Sequence, residues 1–193
     1  GARWQLWAGL RHVSLERRSI RTRPDADGSL GASAYTHDAT VPWLALAVQL
    51  APKTMLYGSW GRGLEADVAP SLGRYANAGE SLALQSRQLE LGLKHGDEAL
   101  EASLTLFDID RGVAADLGSC DGPATCRHVA DGSARHRGVE ATWQGRAGRW
   151  GWQTSAMWLD ARRRGSAQAG IDGSRPTNVP AATLRLGGAY HPA

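Results

Sequence analysis

The chain has 193 residues, enough for one domain of ordinary size, and 42% of them are hydrophobic. It contains no run of about 18–20 apolar residues, the length that a transmembrane helix requires, so we exclude a helical membrane protein. The formal charge of +3 is only mildly basic. Because the arginines form no helical stripe, we expect no nucleic-acid partner.

Hydrophobic and polar residues alternate along much of the chain with a period of two, which predicts β-strands. In chain order, the pattern predicts about eight strands, at residues 3–17, 40–50, 54–62, the two arms of a hairpin at 87–111, 134–144, 150–161 and 179–190. Pro42 then falls near the start of its strand, where a missing ladder donor is tolerated.

The hairpin at residues 87–111 shows the alternation most clearly. Leucines occupy positions 89, 91 and 93 before the polar turn at 95–98, and a helix would scatter them over about 200° of its surface. Each arm also has the length of about 9–11 residues that a tilted strand needs to cross a bilayer. After the turn, we expect Leu100, Ala102, Leu104 and Leu106 to face lipid, and Glu101, Ser103 and Thr105 to face the lumen, because a lipid-facing charge is costly.

The connections between the predicted strands are alternately long and short. The long connections, at residues 19–35, 63–86, 113–133 and 162–178, all lie at the same end. This rhythm predicts an antiparallel transmembrane β-barrel of the outer-membrane type, with long extracellular loops and short periplasmic turns. A soluble antiparallel sheet with one wet face is the alternative. Against it, seven tryptophans lie mostly toward strand ends, as in an interfacial aromatic girdle: Trp4, Trp43, Trp60, Trp143, Trp150, Trp152 and Trp158.

Two cysteines, Cys120 and Cys126, lie close together in a segment of turn residues. A local pair of this kind is typical of a disulfide formed in an oxidising compartment, with a free thiol pair as the alternative. A metal site that includes His128 is disfavoured, because the spacing does not fit zinc and no fourth ligand is evident. The acidic residues 25 and 27 resemble the start of a calcium loop, but the later ligands are missing, so we interpret residues 25–28 as a turn.

The sequence offers no catalytic constellation. We find no glycine-rich phosphate loop, no G-x-S-x-G motif and no plausible triad. Glu90, Glu101 and Glu140 fall at strand positions expected to face the lumen, where hydration explains them better than acid catalysis does. We therefore expect no enzyme, no resident metal and no cofactor.

Several segments, in order along nearly the whole chain, resemble the barrel of a TonB-dependent siderophore receptor. They are VPWLALAVQLAPKTMLYGSWGRGLE, SRQLELGLKHG, LEASLTLFDIDRGVA, RHRGVEATWQG, WQTSAMWLDA and SRPTNVPAATLRL. The family features that they carry are a Pro-led strand at Pro42, a YGSWGRG-like strand, an E-x-G-x-K strand, an LFDI strand, an R-G-x-E strand and an N-x-P entry at residues 178–180. Each feature alone is weak, but the ordered set is specific.

The resemblance implies a monomeric receptor in the outer membrane of a Gram-negative bacterium, surrounded by lipid and lipopolysaccharide. Such a receptor takes up a ferric siderophore as its transported ligand and is driven by the TonB complex through a plug domain. Related nutrients, namely vitamin B12, haem or a glycan, are alternative ligands. A passive small barrel, acting as a pore or an adhesin, is the other alternative.

Family members also have more strands, a plug domain and a C-terminal strand that ends in an aromatic residue. The chain begins at Gly1, in the middle of a predicted strand, and we identify none of these parts in it. Eight strands alone would leave two unpaired edges, which is untenable in lipid. We therefore expect residues 1–193 to be one central part of the barrel domain.

The long connections supply candidate contacts for the ligand. Ferric siderophores often carry negative charge, which arginine and aromatic side chains would suit. The candidates are Trp60, Arg62, Arg74, Tyr75, Arg162, Arg163 and Arg164. For the three consecutive arginines, contact with lipopolysaccharide phosphates or simple solvation of a loop are alternative explanations.

Overall fold

The structure, a computed structural model, describes residues 3–20, 32–69, 73–97 and 99–192. It contains eight β-strands: β1 Trp4–Ile20, β2 Ala32–Ala51, β3 Thr54–Val68, β4 Ser81–Gly96, β5 Leu100–Gly118, β6 Cys126–Ala147, β7 Trp150–Arg164 and β8 Ala182–Tyr190. They form one antiparallel sheet in which each strand pairs with the next along the chain. The predicted all-β barrel segment with eight strands is therefore confirmed. The turn predicted at residues 25–28 lies outside the described residues.

The strands are longer than predicted at the end where the long connections lie. β5 continues to Gly118 and β6 begins at Cys126, so most of the predicted connection at 113–133 is a paired ribbon. Similarly, β3 continues to Val68 and β4 begins at Ser81. The prediction was wrong here for a physical reason. Beyond the bilayer both faces of a strand can be wet, so the backbone stays paired while the apolar alternation fades.

Pro42 lies inside β2, and its prediction as a strand start was wrong. It pairs with Leu10 of β1. Among the described residues, the pairing of β2 with β3 begins at Trp43↔Gly61, one position beyond Pro42. The proline therefore stands at the end of the β2–β3 ladder, where its missing N–H is tolerated.

The register aligns apolar residues across all eight strands. One row consists of Trp4, Val48, Leu56, Leu93, Leu104, Ala141, Ala156 and Leu184. The next row consists of Leu6, Leu46, Gly58, Leu91, Leu106, Val139, Trp158 and Ala182. Cross-strand partners share a face, so these rows define one apolar face of the sheet. This is the face predicted to meet lipid, and Leu104 and Leu106 lie on it.

Side chains on the opposite face reach across an intervening strand. The Tyr57 hydroxyl of β3 and the Thr105 hydroxyl of β5 are 3.0 Å apart and hydrogen-bonded, with Gly92 of β4 between them. An ion pair joins Glu65 and Arg111 in the same way. A concave surface favours contacts of this kind, and the apolar rows lie on the other face, so we assign this face to the inner wall of the barrel. The apolar face is the outer one.

The tryptophans divide between the two faces. At the end of the short turns, Trp143, Trp150 and Trp152 lie on the outer face, where Trp150 stacks near Tyr190 with ring centroids 4.9 Å apart. This is the position expected for the predicted interfacial girdle. Trp43 instead lies on the inner face against Gly9, so its assignment to the girdle was wrong.

β1 and β8 are the edges of the sheet, and within the described residues each pairs with one strand only. An unpaired edge leaves backbone donors and acceptors free. Among the residues described, the structure contains no helix that is both long and apolar enough to traverse a lipid bilayer.

Candidate functional site

The connection between β3 and β4 folds against the beginning of β6. The backbone N–H of Ala76 donates to the Cys126 carbonyl at 2.8 Å, and the Cys126 N–H donates to the Arg74 carbonyl at 2.9 Å. The side chain of Asn77 exchanges two hydrogen bonds with the backbone of His128, at 2.7 and 3.0 Å. Residues 73–80 are therefore held as a short extra layer on the β5–β6 ribbon. We call them the β3–β4 loop.

The two cysteines lie at the tip of the β5–β6 ribbon and are joined in a disulfide. Cys126 is completely buried and is the residue to which the β3–β4 loop is bonded. The disulfide thus fixes the tip on which the loop rests. Because the two sulfur atoms are bonded to each other, they are not available as thiolate ligands for a metal.

A cluster of polar side chains connects the loop to three strands. The Tyr75 hydroxyl donates to Asp116 of β5 at 2.6 Å. The imidazole of His128, on β6, lies 2.7 Å from an Asp116 oxygen and 3.3 Å from an oxygen of Asp67 on β3. The Arg74 guanidinium stands over the Tyr75 ring, 5.1 Å from its centroid. We call these five residues the loop cluster.

Hydrogen bonds and opposite charges within the loop cluster shift the pKa values of His128 and Asp116. Burial lowers the pKa of His128, but the hydrogen bonds and charges of Asp116 and Asp67 outweigh it, so the pKa lies above the usual 6.5. Hydrogen bonds from Tyr75 and His128 hold the pKa of Asp116 below 3.8 despite partial desolvation. The two carboxylates therefore stabilise the protonated form of His128.

Beside the loop cluster, the inner wall encloses a cavity of about 430 Å³. Its polar lining comes from Glu65, Asp67, Arg111, His136 and Arg163, and Pro176, Thr177 and Val179 also line it. The cavity therefore combines cations, anions and an apolar floor at the buried Leu84. A surface of this composition can bind a polar ligand with charged groups.

Arg163 is anchored at the rim of this cavity. Its guanidinium donates to the Asp131 carboxylate at 3.3 Å and to the Asp131 carbonyl at 3.1 Å. Asp131 also accepts from the Ser166 hydroxyl and the Ala167 N–H, and these bonds, with the nearby Arg163 charge, hold its pKa below 3.8. The Nε of Arg163 is buried without a partner in the described part of the chain.

The predicted ligand contacts do not converge on one surface. Arg74, Tyr75 and Arg163 belong to the inner side, around the loop cluster and the cavity. Tyr75 is only 5% exposed, and its hydroxyl is already bonded to Asp116. By the alternation along β3 and β7, Trp60, Arg62, Arg162 and Arg164 lie on the outer face, opposite Leu89, Arg87, Arg135 and Ser133.

Sequence reasoning missed the acidic and histidine residues that organise this region. Asp67, Asp116, His128 and Asp131 all fall in segments predicted to be irregular connections. They contact one another only because the β5–β6 ribbon and the β3–β4 loop fold together, with partners up to 61 positions apart in the sequence. No local motif marks such a contact. The one available signal was the cysteine pair, which lies at the centre of the arrangement.

Comparison with known proteins identifies relatives along the whole chain. The family model described as "TonB dependent receptor-like, beta-barrel" matches residues 1–193. No curated protein matches the sequence.

Three solved structures illustrate the likeness of the fold. The ferric preacinetobactin receptor BauA from Acinetobacter baumannii has a TM-score of 0.72 at 25% identity, covering 96% of this chain and 27% of its own. The siderophore receptor PiuA from Acinetobacter baumannii has a TM-score of 0.74 at 15% identity, and the match covers 97% of this chain and 29% of PiuA. The ferric-catecholate import receptor Fiu from E. coli K12 has a TM-score of 0.68 at 17% identity, and the match covers 98% of this chain and 30% of Fiu. This chain thus spans less than a third of each of these structures.

Proposed function

Because this chain belongs to the TonB-dependent receptor β-barrel family, we propose that it is part of a receptor that imports a ferric siderophore across the outer membrane. The observation that carries the proposal is the match along the whole chain to BauA, a ferric preacinetobactin receptor, at 25% identity. Two further structures with the same fold are a siderophore receptor and a ferric-catecholate import receptor. Proteins of this family are barrels of the Gram-negative outer membrane, and we propose that location for this one.

We propose that residues 1–193 are one part of a larger barrel domain. The chain spans 27–30% of the three related structures, and β1 and β8 have one free edge each in the described residues. Further strands would pair with these edges and close the barrel, because a lipid-exposed sheet edge is untenable. A plug domain would fill the lumen and transmit the action of the TonB complex. The closed barrel would act as a monomer.

We propose that the ligand contacts the inner wall of the barrel at the cavity. Arg163 lines the cavity, and Arg74 is exposed on the β3–β4 loop. Arg111, which is ion-paired with Glu65, and the His136 imidazole also line the cavity. An anionic ferric complex suits such a surface. The ferric ion would be cargo held by the siderophore, with no resident cofactor, no catalysis and no nucleic-acid partner.

Adjacent arginines on opposite faces allow a sharp test of these contacts. We expect Arg163→Gln in the full-length receptor to weaken ferric siderophore binding about tenfold, by loss of a charge-assisted hydrogen bond. Arg162→Gln removes the same charge from the outer face and should leave the affinity unchanged. If both variants assemble normally and bind the ferric siderophore with the same affinity as the wild type, the cavity is not a ligand contact.

Growth under iron limitation tests the function itself. Cells that depend on the full-length receptor are supplied with one defined ferric siderophore at a time. We expect at least one siderophore to restore growth, and only when TonB is present. If haem restores growth, or if cells need the receptor to use vitamin B12 or a glycan and not to use any siderophore, the transported ligand is that other nutrient.

A further inference from the structure

Arg74 is the exposed arginine of the β3–β4 loop, and the tip of the β5–β6 ribbon fixes its backbone. The Arg74 carbonyl accepts from the Cys126 N–H at 2.9 Å, and the Gly73 carbonyl accepts from the Ala124 N–H at 2.9 Å. The disulfide between Cys120 and Cys126 closes this tip into a small ring. The backbone from which the Arg74 side chain extends is therefore held at two consecutive residues.

The Arg74 side chain is held as well, by the side chain of the next residue. Its guanidinium lies over the Tyr75 ring, 5.1 Å from the centroid, and Nη2 donates to the Tyr75 hydroxyl at 3.3 Å. That hydroxyl in turn donates to the Asp116 carboxylate at 2.6 Å. Because Tyr75 is only 5% exposed and bonded to β5, it is a fixed support for the arginine.

Arg74 differs from the two arginines that line the nearby cavity. Arg111 is ion-paired with Glu65, and Arg163 donates to the Asp131 carboxylate. For Arg74, no carboxylate oxygen of the described residues lies within 4.0 Å of the guanidinium. An aromatic ring and a hydroxyl orient a guanidinium without neutralising it. Arg74 therefore presents a positioned charge to an incoming anion.

This arrangement gives Tyr75 a role other than direct contact with the ligand. Its ring is covered, and its hydroxyl proton is donated to Asp116, so an incoming ligand meets Arg74 first. A long side chain that becomes ordered only on binding weakens the interaction, and one that is ordered beforehand avoids this loss. We propose that Tyr75 is a positioning residue, which holds the Arg74 guanidinium for an anionic oxygen of the ferric siderophore. The inference rests on the proposed function.

The affinity of the full-length receptor for the ferric siderophore that restores growth tests this proposal. We expect Arg74→Gln to weaken binding about tenfold. Tyr75→Phe keeps the ring and removes the hydroxyl, and should weaken binding about threefold. Tyr75→Leu removes both supports and should weaken it about tenfold. In the Arg74→Gln background, neither Tyr75 variant should weaken binding further by more than about twofold, because the residue that Tyr75 positions is absent.

Asn77→Ser is the matched control for attachment of the loop. It breaks two hydrogen bonds between the loop and the backbone of His128 and removes no contact of the Arg74 guanidinium. Hydrogen exchange of residues 73–80 measures the attachment in each variant, after electrophoresis has shown that the barrel assembles. We expect Asn77→Ser to loosen the loop at least as much as Tyr75→Phe does, and to weaken binding less.

Two results would overturn the positioning role of Tyr75. One is a loss of affinity that follows the loosening of the loop, with Asn77→Ser and Tyr75→Phe equally weakened at equal exchange. The other is an equal effect of Tyr75→Leu with and without Arg74, because Tyr75 would then contact the ligand or support the fold. Binding by the wild type would still support the proposed function in both cases. An assembled wild-type receptor that binds no ferric siderophore would contradict the proposed function, and this inference with it.

Discussion

At the scale of single residues, a glycine decides how the inner wall is packed. A Cβ built on Gly92 would collide with the Tyr57 ring, which lies across β4 to reach Thr105. The Lys94 ammonium stands over the same ring, 4.9 Å from its centroid. The absence of a side chain at position 92 thus permits the Tyr57–Thr105 hydrogen bond, which ties three strands together.

Substitution of Gly92 by alanine should destabilise the barrel by about 1–3 kcal/mol, because the rigid Tyr57 ring must move. Gly58→Ala is the matched control. Its Cβ would meet only ordinary contacts, the nearest at 3.7 Å, and we expect an effect within about 0.5 kcal/mol. Urea unfolding of the full-length receptor in lipid vesicles measures both. Equal stabilities of the two variants would show that Tyr57 does not depend on the gap at Gly92.

The register makes opposite predictions for two neighbouring residues. Leu104 lies in an apolar row that crosses all eight strands, so Leu104→Arg places a charge in lipid and costs about 2–4 kcal/mol. Thr105→Arg points into the lumen and loses one hydrogen bond, worth about 0.5–1.5 kcal/mol. We expect the first variant to fail to insert and the second to assemble. The two results are distinguished by electrophoresis of outer-membrane fractions, because a folded barrel changes its migration on heating. Assembly of both variants would contradict the register.

At the scale of elements, the β3–β4 loop is attached to the β5–β6 ribbon through the loop cluster. The pKa of His128 is raised above 6.5, so its charged form stabilises the attachment below that value and the contribution is lost as the pH rises through the raised pKa. The pKa of Asp116 is lowered below 3.8, so its contribution is lost only in stronger acid. Attachment should therefore be firmer at about pH 6 than at about pH 8.5.

Hydrogen exchange of residues 73–80 in the full-length receptor measures this pH dependence, after correction for the intrinsic rates. We expect greater protection at about pH 6 than at about pH 8.5. His128→Gln cannot be protonated and should give nearly the same protection at both values. Unchanged protection of the wild type across the range would show that His128 does not control the loop.

The sequence predicted the membrane-spanning part of these elements well, because lipid on one face imposes strict alternation, as at Leu89, Leu91 and Leu93. The same rule failed beyond the bilayer. There the ribbon from Gly112 to Ser133 has no continuous apolar face, and its pairing leaves no periodic signal. The loop cluster could not be predicted at all. Its members come from three strands and a loop, and only the tertiary fold brings Asp67 to His128.

At the scale of the whole molecule, the eight strands form a curved wall with three distinct surfaces. The outer face has apolar rows and, nearer the long connections, exposed arginines at positions 62, 87, 162 and 164. The inner face is polar and carries the cavity near the long connections. The two sheet edges, β1 and β8, each have one free side in the described residues. This distribution fits one segment of a closed barrel that surrounds a ligand path and a plug.

The most direct test of this account is the uptake of radioactive iron by cells that carry the full-length receptor as their only siderophore receptor. A ferric siderophore that restores growth is supplied at a concentration near its affinity, with and without TonB. We predict saturable uptake that disappears without TonB and is reduced by Arg163→Gln but not by Arg162→Gln. Iron uptake that persists unchanged without TonB, or no uptake of any ferric siderophore by a correctly assembled receptor, would contradict the account.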